Sequence, residues 1–157
     1  AIRYPRGSAH QGLQEYQAPV EYGRSEIIRK GKKIAVLGVG SMIPSCMEIC
    51  KGLKDDGYDP TFVNARFVKP LDVDLLDELA KDHSLFVTVE ENVKSGGYGE
   101  HVSAYMEACH PEIRVLSAAV WDRFVPQGNV ESLRSRIGLG VEDIRQAIED
   151  SEELREQ

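Results

Sequence analysis

Three cysteines, Cys46, Cys50 and Cys109, are too few and odd in number for a disulfide framework. A reducing, cytoplasmic setting suits such a chain. Basic residues are in deficit: 19 Lys and Arg face 26 Asp and Glu, a formal charge of −7. Nucleic acid is therefore excluded as an expected partner, because phosphate binding needs a basic face. An anionic membrane surface is excluded on the same ground. No apolar run approaches the ~18–20 residues of a membrane span. The opening Ala1-Ile2-Arg3-Tyr4-Pro5-Arg6 has neither the apolar core nor the cleavage site of a signal peptide. No internal repeat or low-complexity tract is visible. The chain starts on alanine, so the expectation is a processed protein or a piece of a longer one.

What remains is ordinary globular material. At 157 residues, 41% hydrophobic and 29% charged, the chain can bury a real core in one domain. The first ~30 residues lack apolar periodicity and read as a linker leaving earlier structure. Tyr22–Arg29 alternates weakly and predicts an edge strand, followed by a lysine-rich turn at Lys30-Gly31-Lys32-Lys33.

From Ile34 onward the pattern is rhythmic. Ile34–Gly40, Thr61–Ala65, Leu85–Glu90 and Val115–Val120 are short apolar runs of the kind buried on both faces of a parallel sheet. Between them lie helical spacings at Ser45–Asp56, Asp72–Lys81 and Glu100–Cys109. Gly57 is placed as a C′ glycine, and Asp72 as an N-cap. Gly96-Gly97-Tyr98-Gly99 reads as a flexible loop before a helix, and Pro111 ends that helix. Two final helices are predicted, Val130–Ile137 and Val141 to about Leu154, with a charged, fraying tail. Strands alternating with helices imply right-handed βαβ units and a three-layer α/β/α domain over Ile34–Ile148.

Few motifs carry chemistry on their own. Gly38-Val39-Gly40-Ser41 ends a strand before a helix, where a phosphate could bind. The third glycine of a dinucleotide fingerprint is replaced by Ile43, and a Walker lysine is missing, so a tight turn is the better reading. Glu90 and Glu91 follow a strand and could serve as acid or base. Neighbours on an extended chain point to opposite faces, so capping the glycine loop or pairing with a partner subunit is favoured. Cys46 and Cys50 share a helix face and read as core. His101, Cys109 and His110 show no metal spacing; His83 stands near a helix end, where its dipole can act. His10 falls in the linker. Tyr4-Pro5-Arg6-Gly7 is the strongest candidate, a stiffened arginine whose fork suits a phosphate or carboxylate; a solvated tail arginine is the competing reading.

Several stretches occur together in order: Ala1-Ile2-Arg3-Tyr4-Pro5-Arg6-Gly7, Ala65-Arg66-Phe67-Val68-Lys69-Pro70-Leu71-Asp72, Thr88-Val89-Glu90-Glu91-Asn92, Gly96-Gly97-Tyr98-Gly99 and Phe124-Val125-Pro126-Gln127-Gly128. In this, nearly the whole chain resembles the C-terminal end of the 1-deoxy-D-xylulose-5-phosphate synthases, thiamine-diphosphate enzymes of the transketolase family. The resemblance implies a sheet of about five strands, mostly parallel, with one antiparallel edge strand. It implies residues 1–19 as the end of a pyrimidine-binding domain with its linker, and 20–157 as a transketolase C-terminal-like domain. The complete enzymes use thiamine diphosphate and Mg²⁺ to condense pyruvate with glyceraldehyde 3-phosphate, losing CO₂. Their reaction opens a route to isoprenoids and feeds thiamine and pyridoxal synthesis. Their cofactor motifs lie upstream, so the resemblance implies no catalytic, cofactor or metal residue here and no activity of the piece alone. It assigns the phosphate of glyceraldehyde 3-phosphate to Arg6 in the complete enzyme. Implied partners are the enzyme's own N-terminal and pyrimidine-binding domains and a second copy in a homodimer. A transketolase or 2-ketoacid dehydrogenase β-chain end-domain, or a free-standing interaction module, stays open as an alternative.

Overall fold

The computed structural model describes residues 10–16 and 18–151. Arg6 therefore lies outside the described residues. The strands are β1 (Glu26–Arg29), β2 (Lys33–Gly38), β3 (Thr61–Asn64), β4 (His83–Val93) and β5 (Arg114–Val120). The helices are α1 (Ile43–Asp55), α2 (Val73–Ala80), α3 (Tyr98–Cys109), α4 (Val130–Arg136) and α5 (Val141–Glu149).

The five strands form one sheet in the order β1-β3-β2-β4-β5. Only the β1–β3 pair is antiparallel; the other pairs are parallel. The expected mostly parallel sheet with one antiparallel edge is thus present. Successive residues of β2 feed two cores, as the pleat requires. Ile34 and Val36 join Leu85, Val87 and Val89 under α1 and α5. Ala35 and Leu37 join Val63 and Phe86 under α2 and α3. Helices on both faces make the three layers. Burying a side chain such as Phe86, wholly inaccessible here, contributes about 1.5–3 kcal/mol.

Local signals set the helix ends. Asp72 caps α2 by accepting the Leu75 N–H at 3.4 Å. Gly57, at φ 92°, closes α1, with the Tyr58 N–H returning to the Leu53 carbonyl at 2.9 Å. Asn129 caps α4 through the N–H groups of Glu131 and Ser132.

Several boundaries differ from expectation. Strand β1 begins at Glu26 rather than Tyr22, because the preceding residues turn back between Glu21 and Arg24. Strand β4 runs from His83 to Val93, well beyond Leu85–Glu90 at both ends. Helix α3 begins at Tyr98, so Tyr98 and Gly99 belong to its first turn and not to a loop. Helix α5 stops at Glu149 rather than near Leu154; the Ser151 hydroxyl donates to the Ile148 carbonyl at 2.6 Å and occupies its end. Among the described residues, no helix is long and apolar enough to cross a membrane.

Candidate functional site

In an open α/β sheet, ligands usually bind at the C-terminal strand ends, where the strand order reverses. Here the chain runs from β2 outward to β3, then crosses back to β4, so the reversal lies between β2 and β4. Val39-Gly40-Ser41 leaves β2 here, and Glu90-Glu91 lie on β4 just past its last residue paired with β2, Val89. The two sequence candidates, the glycine turn and the paired carboxylates, meet at this point.

The crevice is filled by the chain itself. The Ser41 hydroxyl donates to Glu91 Oε2 at 2.6 Å, and Arg134 of α4 donates from Nε to Glu91 Oε1 at 3.0 Å. Burial raises the Glu91 carboxyl's pKa, but the Arg134 and Ser41 hydrogen bonds outweigh it and hold it below the usual value. A carboxylate beside Ser41 repels a phosphate. Gly38–Ser41 is therefore a strand-to-helix turn, completed by a 3-10 turn over Gly40–Met42.

Glu90 points the other way and is 1% exposed. Its Oε2 accepts the Tyr98 N–H at 2.9 Å, and its Oε1 accepts the Gly99 N–H at 2.8 Å. An acidic group suits the positive end of a helix, and it satisfies two amides that α3 leaves unpaired. So Glu90 caps the glycine stretch, and the two carboxylates do not act as a pair. Gly99 packs onto Thr88 and Ser117, which face each other across β4 and β5. A Cβ there would lie 2.3 Å from Ser117 Oγ and 2.5 Å from Thr88 Oγ1. The α3 N-terminus is thus closed to any outside anion.

The remaining candidates are scattered. Cys46 and Cys50 are core residues; burial pushes the Cys50 thiol up to about 12 and the Cys46 thiol higher still. Neither is a nucleophile at neutral pH. Cys109 is exposed on α3. His83 sits at the end of α2 as expected, with Nδ1 2.8 Å from the Leu79 carbonyl and Nε2 2.7 Å from Thr61 Oγ1. Burial lowers its pKa, and the Gly31 N–H donates to the same Thr61 hydroxyl, so a neutral ring fits this chain. His110 Nε2 lies 2.8 Å from Asp77 Oδ1, which also accepts from the Tyr105 hydroxyl at 2.8 Å. The His110 hydrogen bond, then that of Tyr105, lowers the Asp77 pKa; Asp77 in turn pushes Tyr105 up to about 12. No group of three His, Cys, Asp or Glu among the described residues can hold a metal. His10 and His101 join none of these clusters. Sequence reasoning missed Arg134, Thr61 and Asp77, whose roles arise between residues 22–43 positions apart.

One open surface stands beside the filled crevice. The chain after β5 exposes Trp121 (58%), Phe124 (103%), Val125 and Val130. Lys94 lies 5.1 Å above the Trp121 ring. Clustered exposed apolar groups mark contact surfaces rather than reaction centres.

The fold and this geometry have counterparts. Residues 23–144 match the family "Transketolase, C-terminal domain". This chain belongs to the transketolase C-terminal domain family. It is 40% identical over 145 residues to the 1-deoxy-D-xylulose-5-phosphate synthase of Lachnoclostridium phytofermentans, covering 92% of this chain and 23% of that protein. It is also 40% identical over 151 residues to the synthase of Nitrosomonas europaea, covering 96% and 24%. The domain thus spans about a quarter of the length of these relatives. Among solved structures it is similar to a split-gene transketolase described as an inactive β4 tetramer, with TM-score 0.79 and 29% identity over 87% of this chain and 44% of that one. The transketolase of Campylobacter jejuni shares the fold at TM-score 0.58 and 17% identity, over 82% of this chain and 19% of that one.

Proposed function

We propose that this transketolase C-terminal domain is the end-piece of a 1-deoxy-D-xylulose-5-phosphate synthase. In that complete protein, pyruvate and glyceraldehyde 3-phosphate condense with loss of CO₂. The observation that carries the reading is the ~40% identity to synthases across more than nine-tenths of the chain. The domain's part is docking onto the other domains and assembly of a homodimer. The exposed Trp121–Val130 segment supports this, since a domain that ended its contacts with itself would bury such groups.

The complete synthases use thiamine diphosphate and Mg²⁺. The described residues do not fit either group. The acidic side chains at the strand ends are committed to α3 amides and to Arg134, and no three metal-ligating side chains converge. No reaction step is therefore assigned to this domain. Residues 1–19 belong, on this reading, to the end of the pyrimidine-binding domain and its linker. Arg6 holds the phosphate of glyceraldehyde 3-phosphate in the complete enzyme, where a guanidinium fork matches a phosphate dianion.

The test has two parts. The purified chain, given pyruvate, thiamine diphosphate and Mg²⁺, should release no CO₂; turnover would refute the reading. In a complete synthase, Arg6→Ala should raise KM for glyceraldehyde 3-phosphate far more than KM for pyruvate. A second reading, a separately encoded transketolase subunit, draws on the likeness to the split-gene protein. The upstream reading frame decides between them.

A further inference from the structure

We propose that the Ala65–Asp74 segment is a clamp for the chain entering the domain, with Arg66 and Asp72 as its positioning residues. This stretch is one of the motifs that carry the family resemblance, yet its charged residues Arg66, Asp72 and Asp74 make their contacts with residues 18–26 and not at the crevice between β2 and β4.

Arg66 Nη2 pairs with Glu26 Oε2 at 2.6 Å, and both side chains are largely buried, at 14% and 12% exposure. The same guanidinium reaches back to the carbonyls of Ala18 and Pro19, each at 3.4 Å. Arg66 holds a left-handed backbone, φ 53°, that a side-chain-bearing residue rarely adopts. The Asn64 side chain supports it by accepting the Arg66 N–H at 3.2 Å. Strain retained at a non-glycine residue points to a role for where its side chain is aimed.

Asp72 does two jobs. While capping α2, its Oδ2 accepts the Ser25 N–H at 2.7 Å and its Oδ1 accepts from Arg24 at 3.0 Å. Asp74 takes a second Arg24 contact at 2.6 Å. The Ser25 hydroxyl donates to the Ala65 carbonyl at 3.1 Å. Apolar contacts run alongside: the Tyr22 and Phe67 rings meet edge-on at 5.7 Å. Gly23, at φ 73°, lies against Pro70, where a Cβ would come within 2.9 Å of Cγ. Residues 18–26 are thus gripped from both ends, and the direction in which earlier chain leaves the domain is set from this side. In a complete synthase, on the reading above, that earlier chain carries Arg6, so the clamp sets how far Arg6 stands from this domain.

Amide hydrogen exchange on this chain tests the clamp directly. Arg66→Ala should speed exchange at Arg24, Ser25 and Ile27 at least tenfold and leave Leu85 and Val87 unchanged. Arg66→Lys, which keeps the charge for Glu26 but loses the fork, should fall between. Unchanged exchange over 18–29, or equal acceleration across the whole sheet, would overturn the clamp. In a complete synthase, Arg66→Ala should raise KM for glyceraldehyde 3-phosphate about fivefold with KM for pyruvate unchanged, and Arg66→Lys should recover part of the loss. Localised loosening without this split would keep the clamp and overturn its setting of Arg6, while Arg6→Ala tests the phosphate role of Arg6 itself. Absence of localised loosening would overturn the clamp whatever the kinetics.

Discussion

The start of α3 and the segment Trp121–Val130 follow neighbouring strands and lie at the same end of the sheet, yet they are finished in opposite ways. At α3, Glu90 takes two helix amides, and Gly99 lets the helix rest on Thr88 and Ser117. After β5, Phe124 is wholly exposed and Trp121 more than half so. Both stretches belong to motifs that carried the family resemblance. The first is spent on the fold itself. The second is left in solvent. Distinctive sequence therefore marks two kinds of constraint, and only the contacts tell them apart.

Five measurements test this contrast. The largest effect is expected from Glu90→Ala, which strands two buried amides at about 1–3 kcal/mol each. Chemical denaturation should show a loss of about 3 kcal/mol or more; a loss under 1 would mean that the cap is dispensable. Gly99→Ala should cost about 1–3 kcal/mol by overpacking. Adding Ser117→Ala should recover part of that, because the nearest clashing atom, Oγ, is then gone.

A pH effect comes next. Burial lowers the His83 pKa below its ordinary 6.5, so the unfolded chain takes up the proton first. Stability from this site is complete above about pH 6.5 and is lost as pH falls below it. His83→Gln should flatten that part of the stability profile; an identical profile would remove His83 as its source. Arg134→Ala breaks a partly exposed pair and should cost only about 0–1 kcal/mol, less in high salt. Phe124→Ser should change stability by under about 0.5 kcal/mol, since the ring is already in solvent. The same change should weaken self-association or docking in sedimentation experiments. If Phe124→Ser instead unfolds the domain, the contrast between the two stretches fails.

Much of the architecture was legible in the residue pattern. The apolar runs at Ile34–Gly40 and Leu85–Glu90 announce strands buried on both faces, and such strands demand helices on both sides. Asp72, Asn129 and Gly57 end or begin helices through contacts within a few residues, so their signals are local. Two of the missed boundaries rest on contacts beyond the neighbouring turn. Helix α3 starts two residues early because Glu90, eight residues upstream, satisfies its amides. Strand β1 starts four residues late because the chain turns between Glu21 and Arg24 and then Arg24 and Ser25 bond to Asp72 and Ala65, 40–48 positions away. The candidate site was legible only as separate pieces. Nothing along the chain says that Ser41, Glu91 and Arg134 converge, or that their convergence fills the crevice.

Amino-acid order by itself determined the strand and helix rhythm, the three-layer class, the inert core cysteines and the kinship with the synthases, because periodicity, capping and motif order are properties of short stretches. Capping of the glycine loop was already favoured from the residues, but only the folded chain shows that Glu90 is the cap while Glu91 bonds to Ser41 and Arg134. Tertiary structure alone decided that Arg66 grips the incoming chain, because a side chain's work depends on which distant residues the sheet brings within about 3 Å of it.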